Sequence, residues 1–167
     1  MLVLRGTQRV LRLLPQSADN KDVSHGALGD WYINRIVVHR QPLLLCVSSK
    51  SLLSLLIPAR DVKSLPNRFP ESVAERLARL GVDASLINSE LEGMKVVRVG
   101  RTLDRSVTMV DFAKALSYYL PLNDWGPPDL RLAEERLADT PCRCSSKDTI
   151  WPKRDTILLL AARWITS

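Results

Sequence analysis

The sequence predicts an α+β fold: a single domain over residues 1–167, with an antiparallel-rich mixed sheet of about four to five strands and helices packed on it. Three observations carry this. Two stretches, 31–39 and 43–48, hold apolar residues on both faces, the mark of strands covered on both sides. The gaps between successive strand candidates are only a few residues, which forces antiparallel neighbours. From Pro70 onward the apolar period changes to 3.6, the mark of helices. The 167 residues suffice for one core and are too few for two.

The elements follow in order. Leu2–Arg5 reads as a short strand, and Thr7 is an N-cap for "QRVLRLL", in which Val10, Leu11 and Leu14 share a face. Pro15 ends that helix, and the polar "QSADNKDVSHGA" reads as a surface loop. Trp31–His39 and Leu43–Ser48 are strands joined tightly at Arg40-Gln41-Pro42. In the first, Ile33 and Val37 oppose Ile36 and Val38; in the second, Leu43, Leu45 and Val47 oppose Leu44 and Cys46. "SSKS" turns into a third strand, "LLSLLI", closed by Pro58. Phe69, Val73, Leu77 and Leu80 make a helical stripe ended by Gly81. Asp83 caps "ASLINSELEGM", "KVVRVG" is a strand, and Thr108 with Asp111 has capping-box spacing before "MVDFAKALSYYL". Asp129 caps "LRLAEERLA", 139–155 is irregular, and "TILLLAARWI" is a final, mostly buried helix.

Composition limits function. The net charge of +6 is uneven: residues 1–60 hold eight Lys/Arg against three Asp/Glu, whereas 121–167 hold seven of each. Arg dominates, and its fork suits phosphate and carboxylate. A basic amino-terminal third fits nucleic acid or an acidic partner. No apolar run approaches the roughly 20 residues that span a bilayer. Arg5, Arg9 and Arg12 interrupt the only amino-terminal apolar segment, so a cytoplasmic protein without a secretory signal is expected. The three cysteines, Cys46, Cys142 and Cys144, argue against a disulfide framework. Cys142 and Cys144 alone are a weak ligand pair, so no metal and no cofactor are expected.

No nucleotide-binding, metalloprotease or nucleophile-elbow motif is present. Of the two histidines, His39 at a strand end beside Arg40 is the better base. Arg35 lies four residues back on the same strand, and Arg98 and Arg101 come from another. Asp30 beside Trp31 and Tyr32, with Asn34 near, is a second candidate for binding or acid–base work. Arg98, Arg101 and Arg105, with Ser106 and Thr108 before a helix, form a candidate anion site.

The blocks "MLVLRGTQ", "LGDW", "RSVTMVDF" and "LADTPC", in that order, resemble a bacterial family known only as a domain of unknown function. The resemblance implies no reaction. It singles out Thr7, Gln8, Gly29, Asp30, Trp31, Arg40, Arg105, Ser106, Asp111, Phe112, Pro141 and Cys142. This chain departs from the pattern at His39, where "HRQ" replaces an expected pair of basic residues.

Three functions follow as expectations. The first is a non-enzymatic binding module for nucleic acid or an acidic protein partner. The second is a toxin-like, metal-independent ribonuclease using His39 and arginines. The third is a structural subunit of a larger complex.

Overall fold

The computed structural model describes residues 1–102, 107–143 and 149–166. Its centre is a five-stranded mixed sheet in the order β4-β3-β2-β1-β5. The strands are β1 (Leu2–Gly6), β2 (Trp31–Val38), β3 (Gln41–Ser48), β4 (Ser54–Pro58) and β5 (Val97–Arg101). β2, β3 and β4 are antiparallel neighbours, as the short connections require. β1 lies parallel to both β2 and β5, with Leu4 opposite Trp31 and Gly6 opposite Arg101.

Apolar residues on both strand faces produce two core layers. Leu44, Cys46, Trp31, Ile33, Leu2 and Leu4 face one side. Helix α2 (Leu65–Arg79) covers them with Phe69, Val73 and Leu77. The same side carries α1 (Gln8–Leu11), α3 (Ala84–Glu92) and α6 (Pro152–Thr166), which contribute Val10, Ile87 and Leu160. Leu43, Leu45, Val47, Ile36 and Val38 face the other side. There α4 (Val107–Tyr119) brings Met109, Phe112 and Leu116, and α5 (Pro127–Ala138) brings Leu130, Ala133 and Leu137. Trp31 meets Phe69 edge to face at 5.2 Å, a contact worth about 0.5–1.5 kcal/mol beyond its burial. Cys46 is wholly enclosed; burial, with a smaller push from Glu134, holds its thiol protonated, far from reactive.

Several boundaries differ from expectation, each for a local reason. The β2–β3 connection is His39-Arg40, one residue early, with φ of 48° and 66°: a two-residue turn of the type that matches strand twist. Pro42 therefore sits inside β3 opposite Val37, in the second pair from the turn. Its nitrogen points past the end of β4, where no ladder bond is lost. β4 starts at Ser54, because Leu52 takes a left-handed φ of 60°. α2 starts at Leu65, so Pro70 is inside the helix. The bond it removes would have ended on Pro66 in the first turn, and burial of Leu65 and Phe69 outweighs that loss. α2 ends at Gly81 (φ 84°) as expected, with Val82 N–H donating to Leu77 O and Gly81 N–H to Ala78 O.

The caps also differ. Thr7 precedes α1, yet its hydroxyl donates to Asn34 Oδ1 instead of capping. Thr108 lies within α4, after Val107, so it does not cap that helix. α5 begins at Pro127, and Asp129 caps from the third helical position by accepting the Gly126 N–H at 2.8 Å. Cys142–Arg143 and Thr149–Ile150 form a small antiparallel pair, β6 and β7, in the segment expected to be irregular. α6 is less buried than expected: Ile157 and Leu158 are exposed.

Both sheet edges are covered. On β4, Glu134 of α5 accepts the Leu56 N–H at 2.9 Å. On β5, Ser17 and Ala18 both donate their N–H groups to Val99 O.

Candidate functional site

The central parallel strands create the first candidate. After β1 the chain turns to the α2 face, where Val10 and Leu14 are buried. After β5 it leads to α4 on the opposite face. Adjacent parallel strands whose connections leave to opposite faces open a crevice at their carboxyl ends, the usual ligand position in such sheets. Thr7 and Gln8 stand at one lip, Arg101 and Thr102 at the other, joined by the Thr102 N–H donating to Gly6 O.

α1 packs over these strand ends, against β1, β2 and β5. Its exposed Arg9 shares a shallow concavity of roughly 500 Å³ with Thr7, Gln8, Asn34 and Arg35. Strand alternation puts Arg35 and Arg101 on the α1 face, on either side of that helix. Arg9, Arg12, Arg35 and Arg101 make no ion pair with any described residue. Arg35 and Arg101 stand roughly 12 Å apart by strand geometry, too far for one phosphate to bridge and suited to several.

The acidic residues of the first 60 sit elsewhere. Arg5 on β1 is fully buried, with Asp30 Oδ2 3.1 Å from its Nε. Its two terminal nitrogens donate to Asp19 O and Asp22 O. Asp30 Oδ1 accepts the Ser24 N–H at 2.8 Å. Gly100, opposite Arg5, leaves the space: a Cβ there would stand 2.7 Å from Arg5 Nη1. Asp30, Arg5 and the 16–24 segment thus form one closed network, and Asp30 acts as a structural anchor. Arg98 is on this side too, 3.9 Å from Asp22. Along and across the strands it is roughly 15–20 Å from Arg35, so those two arginines do not converge.

The remaining candidates disperse. Trp31 is fully buried under Phe69 and presents no face to a ligand. Tyr32 packs on the second core layer. His39 Nε2 lies 2.9 Å from Ser117 O and 3.2 Å from Leu120 O. It donates to the terminal carbonyls of α4, a helix cap reached from about 80 residues away. Arg40 is exposed at the hairpin tip. Its left-handed φ costs energy that glycine would not incur. Arg40→Gly is therefore expected to stabilise the protein by about 0.5–1 kcal/mol. An unchanged urea midpoint would show the turn to be unstrained. Arg105 and Ser106 lie outside the described residues, as does the Thr108 side chain.

A second concavity, roughly 530 Å³, opens beside α4. Asp111, Phe112, Pro141 and Cys142, singled out by block resemblance, all line it, with Thr140 and Trp151. Asp111 and Phe112 come from α4, Thr140 and Pro141 from the turn after α5, Cys142 from β6, and Trp151 from just before α6. No residue pattern linked them beforehand; only the packing of α4 against α5 does. Sequence reading also missed Arg5 and Arg9. A lone Arg in the apolar strand "LVLRG" was the available signal for Arg5.

Among the described residues, no group of three or more His, Cys, Asp or Glu is placed to hold a metal, and no helix is long and apolar enough to cross a membrane. The family of domains of unknown function DUF6933 matches residues 3–155, and the chain belongs to that family. No curated protein and no solved structure matches it.

Proposed function

We propose that this member of the DUF6933 family is a non-enzymatic binding module for a polyanion, with nucleic acid as the ligand, acting in the cytoplasm. The observation that supports the reading is the segregation of charge in the first 60 residues. The Asp30 carboxylate pairs with buried Arg5, the Asp22 carboxylate faces the half-exposed Arg98, and Asp19 and Asp22 hold Arg5 through their backbone carbonyls. Among the described residues, Arg9, Arg12 and Arg35 have no carboxylate partner; they stand around the carboxyl end of β1, next to Arg101. Unpaired guanidinium groups along a concave rim favour a chain of phosphates through counterion release and forked hydrogen bonds.

The test is fluorescence polarisation of a labelled single-stranded RNA across a salt series. Binding is expected to weaken steeply with salt. Arg9→Ala and Arg35→Ala are each expected to lower the slope of log K against log salt by about 0.7. No binding at low salt ends this reading, and so does a rim variant that behaves like the exposed control Arg131→Ala.

The ribonuclease alternative has no comparable support. His39 is engaged with the α4 carbonyls, Asp30 stands at the other end of β2 with its carboxylate on Arg5, and Arg98 faces Asp22. An acidic protein segment is the second ligand that the same rim would take, and a partner that competes with RNA would reveal it.

A further inference from the structure

We propose that the cavity beside α4 binds a small organic cation: an ammonium or amidinium group carried on an apolar body. This goes beyond the polyanion reading and uses none of its residues. The volume of roughly 530 Å³ is in the range of small-ligand sites. Phe112, Leu137, Cys142 and Trp151 supply apolar wall.

The polar wall is biased toward acceptors. Asp111 is the one charged residue among the described lining, in a chain where Lys and Arg outnumber Asp and Glu by 24 to 18. Its carboxylate is exposed and has no ion pair or hydrogen bond with a described residue. The Thr140 hydroxyl spends its proton on Arg136 O at 2.7 Å and has the Tyr119 hydroxyl 3.5 Å away as a donor, so one lone pair remains for a ligand. The Cys142 thiol is likewise directed to Thr140 O. Thr149 adds a hydroxyl that serves either way. An anion would meet Asp111, and a neutral apolar molecule would leave it unused. A cationic donor satisfies the carboxylate and lays its body on Phe112 and Trp151. The Trp151 ring already receives one cation, the Arg154 guanidinium at 6.0 Å.

The probes are three molecules with one body: phenethylammonium, neutral 2-phenylethanol and anionic 3-phenylpropionate. Saturation-transfer NMR titrations on the full chain are expected to give phenethylammonium at least about tenfold tighter binding than the alcohol, and none for the propionate. Asp111→Asn is expected to erase the preference for charge. Its fold should be intact, since Asp111 holds no other described residue. Ala115→Leu, which fills the cavity, is expected to abolish binding of the amine and the alcohol alike. Equal binding of all three probes, binding of none, or an unchanged charge preference in Asp111→Asn overturns the proposal.

Discussion

Replacing Arg5 by Ala is expected to destabilise the protein by about 3–5 kcal/mol, the usual cost of removing one partner of a buried ion pair. Arg5 is completely enclosed, and its guanidinium connects β1 to three points of the following chain: Asp30, Asp19 O and Asp22 O. Without it, Asp30 keeps a largely buried charge, two carbonyls lose their donor, and a cavity opens beside Gly100. Arg5→Lys keeps the charge but offers a point donor in place of a fork, and is expected to recover only part of the loss. Urea denaturation measures both. Native-state hydrogen exchange should show residues 16–27 opening first in Arg5→Lys. A midpoint change under about 1 kcal/mol for Arg5→Ala would mean that something else holds this segment.

The second large effect is expected at Glu134→Ala, again about 3–5 kcal/mol. Glu134 joins the edge of β4 to α2: one oxygen accepts the Leu56 N–H at 2.9 Å, the other the Arg79 guanidinium at 2.8 Å. Arg76, wholly buried beside it, donates to Glu134 O and pairs with Glu135 at 2.7 Å. Truncation leaves a bare strand edge and excess buried positive charge. Burial raises the Glu134 carboxyl above its ordinary range, against the downward pull of Leu56 N–H, Arg79 and Arg76.

The folded state therefore binds that proton more tightly than the unfolded chain. The resulting contribution to stability is fully present below the unfolded carboxyl value and fades as pH rises through the folded one. Glu134→Gln cannot titrate. The stability difference between wild type and this variant should shift in the variant's favour as pH rises from the ordinary carboxylate range to neutrality. Urea midpoints across that range test it, and a difference constant with pH would contradict the assignment.

Much of the fold is legible in the sequence because its signals are local. The opposed faces of Leu43–Val47 require a layer on each side of the sheet, and α2 and α4 provide those layers. The stripe from Phe69 to Leu80 and the stop at Gly81 appear where the 3.6 period places them. Boundaries are less legible. α2 reaches five residues ahead of Pro70, because burying Leu65 outweighs one lost hydrogen bond. The turn at His39-Arg40 is set by the β2–β3 register and not by a glycine signal.

The candidate sites are legible only in part. Arg35 and Arg101 were singled out as anion ligands, and they share the carboxyl end of the sheet; Arg98 belongs to the same strand as Arg101 but faces the other way. Asp30 and Trp31 resemble site residues in one dimension because a polar–aromatic cluster has two physical uses. Here the carboxylate neutralises Arg5, 25 residues earlier, and the indole fills the core.

By itself, then, the sequence determined the types of the main-sheet strands and of the helices packed on them, the two-sided sheet, the antiparallel β2–β3–β4 unit and the basic bias of the first third. Each depends on periodicity or composition within a short window. Only the tertiary structure decided that β1 lies parallel between β2 and β5, that His39 caps α4, that Asp30 neutralises Arg5, and that Asp111 and Cys142 share a cavity. Those outcomes depend on which distant segments the core brings together. That choice is made by packing area and the need to neutralise buried charge, and neither is written in the spacing of neighbouring residues.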